Sequence, residues 1–271
     1  MARFLASLTP LTTIAFVAPA QAAGPQWSTT ELQFQYGNLD TPQFAGGGKD
    51  WTMIWTGQHA SGWSFGDVFW FADLSKGDDS NDNHFNDWDI YSELYLDFST
   101  SKILKVKYGD GVLRDIGLIA GVNYGMDPGV LKFLPGVRFA WNVPGFNFLN
   151  TDITAYLDAS EGVDGGTFNA PKESDSFMVD VNFASKSLEI GKQHFNVEGH
   201  VEYIGKRHNE FGERVHAHIL GQPQIRWDAG ETMFGKRDKL FLGVEYQFWF
   251  NKLGEEDTDE HAVQALAVWR F

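Results

Sequence analysis

Cysteine is absent from the 271 residues, so neither a disulfide nor a thiolate ligand can hold this chain together. In an oxidising compartment its stability has to come from elsewhere. After the opening residues no window approaches the ~20 uncharged apolar residues that a spanning helix needs. A mature chain that crosses a bilayer must then do so as a closed barrel. Basic residues are scarce, 21 Lys and Arg against 36 Asp and Glu, for a formal charge of −15. That balance excludes nucleic acid as a partner, because phosphate binding needs clustered Lys and Arg. It suits a protein with acidic outside loops.

Aromatic residues and glycine, by contrast, are abundant: 29 Gly, 10 Trp, 23 Phe and 8 Tyr supply turn formers and interface rings. At the amino terminus Arg3 precedes an apolar run from Leu8 to Val17, and Ala20-Gln21-Ala22 has the small-x-small pattern of a signal-peptidase site. This predicts a secretory leader over 1–22 and a mature chain over 23–271. A membrane anchor fits less well, since the run is short and broken by Thr9, Pro10, Thr12 and Thr13.

At the other end, Val263, Ala265, Ala267, Trp269 and Phe271 fall on one face of a strand, with Gln264 and Arg270 on the other. A strand of this kind closes a barrel against the first one, its apolar face in lipid and its other face in a wet lumen. Phe271 is expected to serve recognition by the barrel-assembly machinery as well as lipid contact. The alternative is the last strand of a soluble sandwich.

From Trp27 onward the chain divides into about twelve alternating segments separated by Gly, Asn, Asp and Pro clusters. The clearest runs from Asp87 to Phe98, where Asp89, Tyr91, Glu93, Tyr95 and Asp97 alternate with Trp88, Ile90, Ser92, Leu94, Leu96 and Phe98. The preceding segment is expected over Trp63 to Leu74, after a tight Ala60-Ser61-Gly62 link. The fold class is therefore all-β: a closed antiparallel transmembrane β-barrel of about twelve strands, both termini periplasmic, in the outer membrane of a Gram-negative bacterium. Odd-numbered connections, such as Gly37 to Lys49, Lys76 to Asn86 and Ala159 to Asp175, lie outside, and the even-numbered ones are mostly shorter.

Several blocks carry a family likeness that periodicity does not provide. Trp27-Ser28-Thr29-Thr30-Glu31-Leu32-Gln33-Phe34-Gln35-Tyr36-Gly37 and His59-Ala60-Ser61-Gly62-Trp63-Ser64-Phe65-Gly66-Asp67-Val68-Phe69-Trp70-Phe71-Ala72-Asp73 are followed by Pro135-Gly136-Val137, Pro144-Gly145-Phe146, Pro223-Gln224-Ile225 and Leu242-Gly243-Val244-Glu245-Tyr246. Together they resemble the Tsx-type (Tsx/OmpK) nucleoside-specific outer-membrane channels, over nearly all of the mature chain. The resemblance implies a monomeric twelve-stranded barrel that passes nucleosides by diffusion through weak sites of aromatic and ionisable residues. The chain looks like the shorter, generalised branch of that family, and the binding positions of its best-known member do not map one by one.

If Val68, Trp70, Ala72 and Leu74 face lipid, the candidate lumen site comprises Asp67, Phe69, Phe71 and Asp73 beside Asp89, Tyr91, Glu93 and Tyr95. Flat bases stack on rings and ribose hydroxyls donate to carboxylates, so these strands offer both halves of a weak nucleoside site. Such a wall is also what any polar barrel needs to fill its lumen. His200, His216 and His218, set among Glu198, Glu202 and Arg226, read as an ionic network rather than a metal site. Asp78, Ser80, Asp82, His84, Asn86 and Asp89 match some calcium-loop spacings, but Asn83 stands where the turn needs Gly. Neither a metal, a cofactor nor a catalytic residue is expected. Two other readings are a lipid-modifying barrel enzyme and a plugged surface-recognition barrel.

Overall fold

The computed structural model describes residues 24–78, 88–165 and 169–271. The expected leader lies outside the described residues, as do Ser80, Asp82, His84 and Asn86 of the calcium-loop comparison. Twelve barrel strands follow one another: β1 Trp27–Asp40, β2 Lys49–Gly62, β3 Gly66–Gly77, β4 Asp89–Ser99, β5 Leu113–Gly125 and β6 Val130–Trp141. They continue as β7 Phe146–Asp158, β8 Ser176–Ser185, β9 Gln193–Ile204, β10 in two pieces (His218–Gly221 and Gln224–Asp228), β11 Leu240–Phe250 and β12 Glu260–Arg270.

Each strand pairs antiparallel with its sequence neighbours, and β12 returns to β1 with Glu31 opposite Arg270 and Tyr36 opposite Ala265. Closure leaves no edge, so the strands' backbone groups are satisfied within the sheet, as a lipid surround demands. Pro223 has no N–H and interrupts β10, yet the register survives it: Val201 faces Gly221 before the break and Glu198 faces Gln224 after it. Gly121 lies opposite Tyr95, and a Cβ there would stand 2.5 Å from the Tyr95 ring. The missing side chain is what lets that ring lie flat inside the barrel.

Outward positions are apolar and open. Leu118, Ile153, Phe177, Ile225 and Val263 are all exposed, a continuous band that water would not tolerate and lipid requires. Rings gather toward the two ends of the band: Tyr36 stacks on Trp51 at 5.1 Å and Phe177 meets Tyr203 at 5.8 Å, while Phe139 stacks on Trp141 at 6.1 Å at the end that carries the termini. The protein is thus a membrane-spanning barrel of the outer-membrane type.

Two expectations need correction. The β2–β3 link is 63–65, where Trp63 N donates to Gly66 O at 2.7 Å, because the strand pairing continues through Ala60-Ser61-Gly62. Of the connections at the termini end, 63–65 and 142–145 are short, while 100–112 and 229–239 carry the helices Thr100–Ile103 and Ala229–Phe234. The lumen face is also not simply wet. Tyr95, Ile119, Leu134, Tyr156, Met178 and Ile204, with Phe69 against them, form an apolar belt inside the β3–β9 wall. Phe241, Leu266 and Val268 form a second cluster toward the termini, the last two on the face of β12 expected to be wet.

Leu134 is 0% exposed, so its replacement tests the belt. Leu134→Ala should destabilise the folded barrel by about 2–5 kcal/mol, read from urea unfolding in lipid vesicles. Leu118→Ala, which trades only lipid contact, should cost clearly less. Equal losses would mean that the inner belt is not a packed core.

Candidate lumen site

The two strands β3 and β4 bring the predicted site residues onto one inner wall. Register places Phe69 opposite Tyr95, Phe71 opposite Glu93 and Asp73 opposite Tyr91, with Trp70 and Leu74 exposed on the other face. The Phe71 ring lies 6.1 Å from that of Tyr91 at an interplanar angle of 50° and 6.1 Å from that of Phe69. Beside the rings stand the carboxyls. Tyr91 OH donates to Glu93 Oε1 at 2.6 Å, Asn123 Nδ2 donates to the same oxygen at 2.8 Å, and Thr56 Oγ1 donates to Asp73 Oδ1 at 2.6 Å.

The eight residues span the height of the wall rather than forming one pocket. Asp67, at the termini end, accepts from Lys102 Nζ at 2.9 Å. Asp89, at the opposite rim, accepts from the Asp127 backbone N–H at 3.2 Å. Phe69 and Tyr95 belong to the apolar belt. Phe71, Asp73, Tyr91 and Glu93 are left as the ring-and-carboxyl group at mid-height.

The facing wall is polar. His200 Nδ1 lies 3.2 Å from Asp180 Oδ1 and its Nε2 2.9 Å from Gln222 Oε1, while Asn182 Nδ2 donates to Asp180 Oδ2 at 2.7 Å. Of the expected ionic network only Arg226 and Glu198 are joined, without Glu202 or His200: Arg226, 1% exposed, has Nη1 3.1 Å from Glu31 Oε2, its Nε donates to Gln224 Oε1 at 2.7 Å, and the guanidinium also contacts Glu198. Arg270 Nη2 joins it at 2.6 Å from Glu31 Oε1. His216 and His218 take no part: His216 Nε2 lies 3.5 Å from Glu256, and His218 packs beside Trp249. Among the described residues no group of His, Asp and Glu has the geometry of a metal site.

Sequence reading missed a second ionic cluster. Glu173, from the connection after β7, accepts from Lys132 Nζ at 2.8 Å and from Arg207 Nε at 2.7 Å, and both cations lie 5.4 Å from the Tyr156 ring centroid. Lys132 and Tyr156 occupy inward positions of β6 and β7, a parity that was readable; the return of a loop carboxylate into the barrel was not. On the lipid face, Thr30 Oγ1 lies 2.8 Å from His59 Nδ1 with Trp70 stacked on the imidazole at 6.1 Å. Among the described residues this pair has no carboxylate to orient it, so it lacks the third member that a hydrolytic triad uses.

No protein-family model matches the sequence, and no curated protein matches it; the Tsx-type resemblance rests on the residue blocks alone. Solved structures similar to the chain are outer-membrane barrels. They include the KdgM porin, at 8% identity and a TM-score of 0.47 over 89% of this chain and 99% of that one. The NanC porin follows at 10% identity and 0.48 over 88% and 98%. The outer membrane phospholipase A from Escherichia coli gives 9% identity and 0.45 over 94% of each chain.

The Arg226 network should respond in a characteristic way to loss of one member. Arg226→Gln strands Glu198 without its cation and should destabilise the barrel by about 3–5 kcal/mol, with part of the loss restored in the double variant Arg226→Gln, Glu198→Gln. Denaturant midpoints in the same vesicles decide this. A double variant no more stable than the single one would count against a coupled network.

Proposed function

We propose that this chain forms a narrow outer-membrane channel through which nucleosides, or neutral solutes of similar size and shape, diffuse passively. The observation that carries the reading is the mid-height group in which the Phe71 and Tyr91 rings stand 6.1 Å apart beside the carboxyls of Asp73 and Glu93. A base can slide along the rings while its ribose hydroxyls exchange hydrogen bonds with the carboxyls and with Gln222 and Asn182 across the bore. Stacking of roughly 1–3 kcal/mol per base, softened by lumen water, gives sites weak enough to release what they bind, as conduction demands. The Tsx-type resemblance of the first two strand pairs points the same way.

In this reading residues 1–22 are removed as a secretory leader, Phe271 is the feature recognised during insertion, the barrel works as a monomer, and it is a channel rather than an enzyme.

The test is current block in planar bilayers. Adenosine or thymidine should reduce the ion current more than a sugar of comparable size. Replacing Phe71 and Tyr91 together by Leu should abolish that difference and leave the open conductance little changed. A wild-type channel that nucleosides block no better than sugars would defeat the nucleoside assignment, and a folded barrel without conductance would defeat the channel.

A further inference from the structure

The mid-height lumen holds more acid than base. Asp73, Glu93, Asp180, Glu202 and Glu245 converge there from five strands, each within electrostatic reach of at least one other. Glu202 and Asp180 stand directly opposite each other on the inner face of β9 and β8, an arrangement that destabilises a sheet unless something positive lies between or beside the pair. The protein supplies His200 there and commits it to Asp180 and Gln222, and Arg207 also lies within electrostatic reach of Glu202.

The surrounding strong cations are all engaged elsewhere. Arg207 is held by Glu173 at 2.7 Å, Lys132 by Asp158 at 2.9 Å, Arg138 by Asp152 at 2.6 Å and Arg226 by Glu31 at 3.1 Å. Glu202 is left without a hydrogen-bond or ion-pair partner among the described residues, although it is only 8% exposed and lies on the inner face of β9. An ionised carboxyl at that depth is costly and takes up a proton unless a cation reaches it, so a cationic partner is what would hold it as the carboxylate.

Three phenol rings stand within electrostatic reach of it, those of Tyr91, Tyr95 and Tyr156. Tyr156 already shows the chemistry such rings offer, since it carries Lys132 and Arg207 over its face. Among the described residues Tyr91, beside Glu93 on the inner face, has no such cation. A ring next to carboxyls in a partly desolvated site attracts a compact organic cation better than either group alone.

We infer that Glu202, with Glu93 and the Tyr91 ring, is a subsite for the positively charged group of an amine-bearing small solute, and that it makes the bore selective for cations over anions. The inference rests on the channel reading for its consequence, but the subsite itself can be tested without conduction. The solute class becomes neutral to cationic: free nucleosides and small amines enter, whereas phosphate esters of the same size are turned away by the carboxyls.

Two measurements on the refolded full-length barrel decide the matter. In the first, choline chloride is titrated against the protein in detergent by calorimetry, with sodium chloride as the ionic-strength control. Wild type should bind choline saturably, Glu202→Gln should weaken it by at least an order of magnitude, and Tyr91→Leu should weaken it less. In the second, the reversal potential in a KCl gradient across a planar bilayer should show preference for K⁺, reduced in Glu202→Gln. A conducting barrel with no cation preference and no choline binding would overturn the subsite while leaving the channel. A silent barrel that still binds choline would keep the subsite and overturn the channel. Choline binding unchanged in a folded Glu202→Gln would place the cation elsewhere and overturn the assignment.

Discussion

Everything in this structure depends on the closure of β12 against β1. In hydrocarbon no water is available to a free N–H or C=O, so an unpaired strand edge would forfeit several kcal/mol per group. The ladder from Glu31 opposite Arg270 to Tyr36 opposite Ala265, extended by Phe271 N donating to Thr30 O at 3.0 Å, removes both edges at once. The strict two-residue period follows from that closure. One side of every strand must satisfy lipid, and the other is free to carry whatever the lumen needs.

What the lumen carries is of two kinds. The β3–β9 wall contributes an apolar belt around Leu134, and the opposite wall a hydrogen-bonded mesh in which Gln224 Nε2 donates to Gln33 Oε1 at 3.2 Å and Gln264 Nε2 to Glu245 Oε1 at 2.8 Å. The belt stiffens the barrel by ordinary core packing. The mesh stiffens it by fixing side chains that would otherwise sweep the bore. Between the two, the rings of Phe71 and Tyr91 and the carboxyls of Asp73, Glu93 and Glu202 remain as groups with chemistry to offer a solute. In the proposed channel, a narrow bore lined in this way would discriminate by what it can stack on and what charge it admits, as well as by width.

The barrel itself was legible in the sequence because period-two alternation is a local property. Asp89 to Phe98 announces β4, and Leu240 to Phe250 announces β11, without reference to any other strand. Parity likewise identified Asp73, Tyr91, Glu93, His200 and Arg226 as inward. Three kinds of fact were not local. Ile119, Met178 and Leu266 hold inward positions, yet their assembly into packed clusters depends on barrel shear and on which strands face each other. Glu173 enters the lumen from a loop, where no periodicity applies. The helices at 100–103 and 229–234 are short and capped by the Ser99 and Asp228 side chains, signatures too brief to rise above the turn residues around them.

The central claim is that a water-filled path for solute runs along the inner face of β3 and β4. The chain's lack of cysteine makes that claim directly accessible to single-thiol labelling. Phe71→Cys in the reconstituted barrel should react readily with a small membrane-impermeant thiol reagent, adenosine should slow that reaction, and Trp70→Cys on the lipid face should stay unlabelled. A Phe71→Cys barrel that is folded but does not react, or that reacts no faster than Trp70→Cys, would contradict the account.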